Sequence, residues 1–532
     1  MAIIWGRYSA PVYCALLALI CAALATHWPW LWVLSAVLWL LAAQGLRDYL
    51  QSQHAVIANY PLLGHLRFFF ESVRPELRQY FWESDSDALP YSRNQRAMVY
   101  QRAKQQVAVR PFGSTENMYA EEFDWLNHSV APVTVGQSDF RVTVGVGPHT
   151  YAMSALNISG TSFGALSPPA IQALNTGARL GAFAHNTGEG GISSYHLAGG
   201  GDLIWQIASG YFGCRTVEGR FDPDEFARKA TLPQVKMIEI KLSQGAKPGQ
   251  GGMLLAPKVT AEIAAIRGVE QGRDCISPAH HSEFATPDGL LAFAARLREL
   301  SGGKPVGIKL CIGQPWEFLA IVRAMVDSGQ LLDFITVDGA EGGTGAAPAE
   351  FTDHVGTPLQ DALVFVDNCL RGAGLRQRVK VAASGKVVSA YDLVRQFALG
   401  ADWVNMARPF MFAVGCIQAR DCSSGNCPTG VATMDPARYR VLDVAAKAAR
   451  VVNFHHNTTH AVAELLGAAG LTHPEQLTRH HVVRRLADGQ TRTLAQIYPP
   501  VAEGALLDGQ PVLDPVLRAY WSRVSGARFG LV

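Results

Sequence analysis

The hydrophobic pattern changes character at about residue 50. From Tyr8 to Leu46 no Asp, Glu, Lys or Arg interrupts the chain, and two apolar runs, APVYCALLALICAALAT and LWVLSAVLWLLAAQGL, flank the short turn HWPW. A bilayer core takes about 20 apolar residues per helix. The pattern therefore predicts a transmembrane helical hairpin over residues 1–50, turning at His27–Pro29. Trp28, Trp30 and Trp32 stand where interfacial aromatic residues gather. Arg7 precedes the pair, Arg47 follows it, and the turn is uncharged. The positive-inside rule then places both ends, and all that follows, on the cytoplasmic side of the inner membrane. ALA at 23–25 also resembles a signal-peptide cleavage site, but cleavage there would leave the second apolar run at the new terminus. A hairpin buried in a soluble core fits the clustered tryptophans less well.

Residues 51–150 alternate less regularly and read as a juxtamembrane connector. NYPLLGHLRFFFESVRPELRQYFWESDSD mixes aromatic and basic residues and suits either a membrane surface or a packed face. SRNQRAMVYQRAK predicts a charged helix.

Beyond Thr150, short β-branched runs alternate with helical stretches. Strands are predicted at 153–159, 181–186, 235–241, 274–277, 305–311, 333–339, 379–384 and 402–407. Helices such as SPPAIQALNTGARL, DGLLAFAARLREL and AYDLVRQFALG separate them. Eight βα repeats imply an α/β fold, a parallel (β/α)8 TIM barrel over 151–435. A doubly wound open sheet is the alternative, but no G-x-G-x-x-G follows the first strand. The tail, 436–532, carries two helical stretches, VLDVAAKAARVVNF and HAVAELLGAAG, and predicts a helical C-terminal extension. His456 and His460 lie there at i, i+4 spacing and read as a packed polar helix face.

Composition narrows the class. A net charge of +2 gives no basic field for nucleic acid. Nine cysteines, most of them scattered, do not form a disulfide framework and point to a reducing compartment. The 51 glycines cluster beside the apolar runs, which suits loops whose backbone approaches a ligand.

In a barrel of this kind the chemistry sits at the C-terminal strand ends. Those ends read SGTSFGALS, NTGEGG, QGAKPGQGG, DGAEGGTGAAP, ASGK and ARP. Loops after the last two strands frequently bind phosphate, a position that suits the phosphate of a flavin mononucleotide. Gly343, Thr344, Gly385, Ala407 and Arg408 are the phosphate candidates. Ser162, Gln206, Gly342 and Ser384, at the same strand ends, complete the cofactor set. Lys309 interrupts the apolar VGIKLC. Its burial is costly without a partner, and it suits either a cation beside a reduced flavin or an ion-paired lysine. Glu189, between glycines, suits a proton relay or polar anchor. Lys241, Gln244 and Lys247 suit a substrate carboxylate. In GCIQARDCSSGNCPTG, Cys416, Cys422 and Cys427 are separated by five and then four residues. Thiolates suit iron clusters; zinc is the alternative and normally takes a fourth ligand.

SGTSFGALS, AHNTGEGG, QIASGYFG, KLSQGAKPGQGG, ISPAHH, DGAEGGTGAAP and the three-cysteine loop occur in this order. Together they resemble the synthase domain of glutamate synthases over roughly residues 150–435. The resemblance implies FMN in the barrel and a 3Fe-4S cluster on Cys416, Cys422 and Cys427. It also implies reduction of 2-iminoglutarate, formed from 2-oxoglutarate and ammonia, to glutamate; Glu189 and Lys309, singled out above, are the candidate catalytic residues. No NAD(P)H fingerprint is visible, so a separate electron-donor protein or a quinone is expected. An alternative is a membrane-anchored FMN and iron–sulfur oxidoreductase acting on another amine.

The pattern departs from the family at several points. The N-terminal cysteine-nucleophile glutaminase domain of the large enzymes is replaced by an apolar hairpin, and no C-terminal β-helix is expected. Tyr211 stands where the family usually has arginine, Gln250 where it has an acid, and GGIS lacks the following acidic pair. These departures fall on substrate-facing loops and point to altered specificity.

Overall fold

The computed structural model describes the whole chain except residues 1–5, 87–88, 107–108, 148, 510–511 and 513. It divides into two compact units, Met1–Arg93 and Asn94–Val532.

The first unit is helical. Helices Ser9–Leu24 and Leu31–Leu50 pack against each other. The Ser35 hydroxyl donates to the Ala18 carbonyl (2.8 Å) at their interface. Gly45 is required there, because a Cβ would enter the Pro11 ring. Leu31–Leu50 is long and apolar enough to cross a membrane, and Ser9–Leu24 is a shorter apolar helix. On Leu31–Leu50, outer positions including Trp32, Val33 and Leu40 are exposed, as is Trp30 just before it. Asp48 ends the pair, buried, accepting from Gln44 (2.8 Å), the Leu62 amide (3.0 Å) and His65 (2.9 Å). The FFF segment lies on helix Gly64–Leu77, which continues into a π-helical turn, Arg78–Trp82, with Phe69, Phe70, Phe81 and Trp82 exposed.

The second unit holds a closed barrel of eight parallel strands. They are β1 (Leu156–Ile158), β2 (His185–Asn186), β3 (Leu203–Ile207), β4 (Val235–Lys241), β5 (Val306–Leu310), β6 (Phe334–Asp338), β7 (Lys380–Ser384) and β8 (Trp403–Met406). Each strand pairs with the next in sequence, and β8 closes on β1. Runs such as VGIKL and FITVD are buried throughout, as parallel strands covered on both faces must be. The helices begin where Pro follows a polar cap, at Ser167–Pro168, Asp222–Pro223 and Thr286–Pro287. Several end at left-handed glycines, among them Gly329 and Gly400.

Two strand expectations are corrected. The segment 274–277 is outside the barrel: Cys275–Ile276 pairs antiparallel with Met253–Leu254 in the excursion after β4. The missing barrel strand is LIWQI, β3. The helix before it, Ser194–Gly199, has six residues, too few to show a helical period between two strands. The expected first strand, 153–159, is also two elements. Tyr151–Ser154 pairs with Arg141–Val144 in a hairpin, and β1 starts only at Leu156. Val144 and Met153 of that hairpin pack with Ala184, Ile204, Met237, Phe334, Ala382 and Trp403 from six barrel strands or their entries. The hairpin therefore plugs the N-terminal mouth.

After the barrel, the two predicted helical stretches form one helix, Val444–Ala468, laid along Pro168–Leu180. Its His455 ring stacks on Phe183 (4.0 Å) and bonds Ser154 and the Leu156 carbonyl. His456 and His460 stack on each other, 6.3 Å apart. The tail also supplies strands Val482–Arg485 and Thr491–Thr493, which form a sheet with Asp124–Leu126.

Candidate active site

The C-terminal strand ends carry a layered set of polar groups. The lowest layer is Glu239 on β4, 1% exposed. It accepts from Asn186 (2.7 Å) on β2, Gln206 (2.7 Å) on β3 and Thr336 (2.7 Å) on β6. Three donors from three strands offset the cost of burying a carboxylate, and they fix the predicted cofactor residue Gln206. One register step higher, Lys241 on β4 stands beside Lys309 on β5. The Lys309 ammonium lies 3.5 Å from the Asp338 carboxylate on β6, which also accepts from the Gly245 amide (2.8 Å). Lys309 is thus ion-paired as well as inward.

Glu189, in the loop after β2, meets Lys241 at 3.0 Å, and Lys241 also donates to Gln244 (2.7 Å). Burial pushes the Glu189 carboxyl up, but Lys241, Arg267 and Lys247 together pull it below the usual carboxylate range. The group is held ionised. Lys247 is almost fully buried, and burial draws its ammonium down from its ordinary value against the pull of Glu189. Lys241, Lys247 and Arg267 all act on this one carboxylate. The Gly–Gly of KPGQGG has a steric cause. A Cβ on Gly251 would strike the Ser277 carbonyl, and one on Gly252 would enter the Glu189 carboxylate.

The predicted phosphate residues gather at the ends of β6, β7 and β8. The Arg408 guanidinium donates to the Glu341 carbonyl (2.6 Å) and lies against Gly343, 2.8 Å from where a Cβ would be. Thr344 is exposed beside it, and Gly342 is buried against Gly339. Gly385, at φ +128°, packs on Gly339, and the Ser384 hydroxyl meets that of Ser159 (3.3 Å). Lys386 follows; burial lowers its ammonium, and Arg408 lowers it further. Ala407 caps only a seven-residue helix, Arg408–Val414. Ser162, half-buried, lies against Gly188, whose added Cβ would be 2.9 Å from its amide.

Cys416, Cys422 and Cys427 line one small cavity of about 10 Å³ after β8. The Gln418 amide points at the Cys416 sulfur (3.4 Å), and the Thr429 hydroxyl meets Cys427 (3.5 Å). Burial raises the Cys416 thiol to about 12 and raises Cys422. At Cys427 burial also raises the thiol, but the Thr429 hydroxyl and the amides of Ala432, Thr429 and Val431 outweigh it. Its net shift is downward. Amides aimed at sulfur are the donor set a cluster thiolate takes. A single zinc ion draws its ligands into one tight shell; among the described residues no three Cys, His, Asp or Glu side chains converge that closely. Three cysteines lining one cavity are nonetheless a donor set that suits an iron–sulfur cluster.

Residues 114–472 match the family model described as the conserved region in glutamate synthase. The chain belongs to the glutamate synthase family. It is 38% identical to the glutamate synthase large subunit-like protein YerD of Bacillus subtilis, over 84% of this chain and 92% of that protein. It is 35% identical to the archaeal glutamate synthase [NADPH] of Methanocaldococcus jannaschii, over 67% of this chain and 66% of that one. It is an oxidoreductase of the glutamate synthase type.

The family position usually held by arginine is filled here in an unexpected way. Tyr211 sits at φ +48° and is buried, its ring packed among Phe221, His281 and Phe293. Its hydroxyl bonds His281 (3.1 Å) and the Glu283 amide (3.3 Å), and the second His281 nitrogen meets the Lys241 carbonyl (2.9 Å). Burial takes His281 down to about 4, so this position supplies no cation to the site. Arg267 supplies one instead, buried over the Phe212 ring and bonded to the Phe163 carbonyl (3.2 Å). Gln250 is exposed.

Sequence reasoning missed Glu239, Arg267, Asp338, Lys386 and Lys258. Glu239 carried a readable signal: a charge inside the apolar VKMIEIK, the same feature that singled out Lys309. Lys386 lay in the quoted ASGK. Arg267 and Lys258 stand in the excursion after β4 and carry no local mark.

Proposed function

We propose that this chain reduces 2-iminoglutarate, formed from 2-oxoglutarate and ammonia, or a closely related 2-imino acid, to the amino acid. The observation that carries this is the cationic side of the mouth: Lys241 pairs with Glu189 at 3.0 Å, and Lys247 and Arg267 are buried and act on the same carboxylate. An anionic carboxylate substrate suits such a cationic site better than a neutral one. FMN fits the mouth: Lys386 and Arg408 stand at the β7 and β8 ends where its phosphate would be held, with Gly343, Thr344 and Gly385 beside them. When bound, the flavin supplies hydride to the C=N carbon. Lys309 and Asp338 form a charged pair that fixes the inner edge of the mouth, and Gln206 is held by Glu239 to present its amide. Lys241 and Lys247 grip substrate carboxylate. Glu189, ionised, orients Lys241 and holds the proton balance of the lysine pair.

A 3Fe-4S cluster on Cys416, Cys422 and Cys427 would pass electrons singly, and a separate protein or quinone supplies them. The N-terminal unit is proposed to anchor the chain in the cytoplasmic membrane through Leu31–Leu50, with the catalytic unit on the cytoplasmic side.

The test uses the detergent-solubilised full chain. Flavin and iron are assayed, and glutamate is measured from 2-oxoglutarate, ammonium and a reductant. Flavin reduction without amino-acid product overturns the substrate assignment. Glu189→Gln should keep flavin and abolish turnover. Reduction of quinone analogues in place of product formation would favour the electron-transfer reading.

A further inference from the structure

Lys258 is the least expected charge in the molecule. It is 3% exposed, in a short helical turn of the excursion after β4. Among the described residues its ammonium meets no carboxylate. Its hydrogen bonds run to the carbonyls of Ala165 (3.0 Å), Cys422 (3.3 Å) and Ala432 (3.3 Å). An ammonium has three N–H donors, so these acceptors use all of them. Two acceptors belong to the cysteine loop and the third to the loop after β1.

Three carbonyls solvate a cation, but they do not neutralise it. A buried, uncompensated charge is expensive, and a lysine whose sole task was to staple loops could be replaced by a neutral donor at lower cost. The Lys258 ammonium is held against the cysteine loop itself, through the Cys422 and Ala432 carbonyls. A cluster held by that loop would bring negative charge beside the cation and match it.

We propose that Lys258 is a positioning residue and counter-charge for the cluster: it clasps the cysteine loop to the loop after β1 and eases the cluster's reduction. The proposal rests on the cluster reading above. A fixed cation beside the cluster favours the more negative, reduced form. Removing it should therefore lower the cluster's midpoint potential and weaken iron retention, while the flavin potential stays in place.

The experiment compares full-length Lys258→Gln, which loses the charge but keeps an amide donor, with Lys258→Met and with wild type. Iron and acid-labile sulfide are quantified, and the cluster potential is read by EPR-monitored redox titration with the flavin potential as internal reference. For Lys258→Gln we expect the reduction equilibrium to shift about tenfold toward the oxidised cluster, about 59 mV for one electron. Loss of iron with flavin content and melting temperature unchanged also supports the proposal. Less than about a twofold shift with full iron refutes it. So does joint loss of flavin, iron and thermal stability in both variants, which would make Lys258 a general fold staple. Wild-type protein without iron or an EPR signal refutes the underlying cluster reading instead, and is told apart by needing no variant.

Discussion

Lys241→Met tests whether Glu189 and Lys241 act as one desolvated pair. The ammonium and carboxylate lie 3.0 Å apart with side-chain exposures of 9% and 16%. At an effective dielectric of about 20, that separation gives roughly 5.5 kcal/mol of attraction. Lys247 and Arg267 remain near Glu189 in the variant, and they offset part of the loss. Breaking a buried pair by removing one partner costs about 3–5 kcal/mol, so a net loss of about 2–4 kcal/mol is expected here. The assay is a double-mutant cycle with Glu189→Gln, following the denaturation midpoint of the full chain at neutral pH. The coupling should reach at least about 2 kcal/mol. A second readout follows from linkage. Glu189's carboxyl is lowered in the folded state from its ordinary 4.5. Its stabilisation is therefore complete above that value and is lost as pH falls through the lowered one. The penalty of Lys241→Met should shrink over the same acid range. Additive single effects, within about 0.5 kcal/mol, would show that the two groups do not depend on each other.

Gly252→Ala should drive the Glu189 carboxylate off Lys241, and a displacement near 1 Å costs about 100-fold in rate; steady-state kinetics with intact flavin content checks it. Lys386→Met and Arg408→Met should each weaken FMN binding by about 10- to 150-fold, the equivalent of 1.5–3 kcal/mol for a charge-assisted contact, read by fluorescence quenching of apoprotein. Glu239→Ala leaves the Asn186, Gln206 and Thr336 donors unmatched at about 1–3 kcal/mol each, whereas Glu239→Gln keeps acceptors for the two amides; melting should fall much further in the alanine variant. Burial holds His196 and His281 at about 4 and His455 at about 3. They stay neutral in the fold while the unfolded chain takes up protons below about 6.5, so stability should decline steadily as pH falls from there toward 4. Each of the three contributes up to about 1.4 kcal/mol per pH unit, and His455→Gln should flatten the decline by about one such share.

What the sequence made legible follows from how local each signal is. Seven of the eight barrel strands coincide with apolar runs, because parallel strands buried on both faces write their burial directly into composition. β3 was displaced by DCIS because a six-residue crossover helix leaves no period to read, whereas DCIS sits between clear turn residues. Glu189 and the set Lys241, Gln244 and Lys247 were singled out separately at strand ends, and the structure joins Lys241 to both Glu189 and Gln244. Asp338 was not singled out, because a carboxylate at a strand end looks the same whether it faces solvent or a lysine; Glu239 was overlooked although its charge inside an apolar run was readable. Tyr211 was recognised as a substitution, but its burial depends on Phe221, His281 and Phe293 from distant segments. Arg267 and Lys258 were invisible for the same reason. Both serve loops that lie far from them in sequence.

The excursion after β4 is what joins these observations. It carries Lys247 and Gly252 over Glu189, sends Arg267 toward the same carboxylate, and places Lys258 under the cysteine loop. The cysteine loop in turn touches the barrel mouth, since a Cβ on Gly345 after β6 would lie 3.4 Å from the Cys422 Cβ. The Glu341 carbonyl of that β6 loop receives Arg408 from β8. Substrate grip, phosphate grip and thiolate loop are therefore built from shared segments rather than from separate modules. A change in the excursion alters the charge at Glu189 and at the cysteines together. On the function proposed above, specificity and electron supply would be coupled through this backbone, while the exposed Gln250 of KPGQGG lies apart from the contacts of Gly251, Gly252, Arg267 and Lys258.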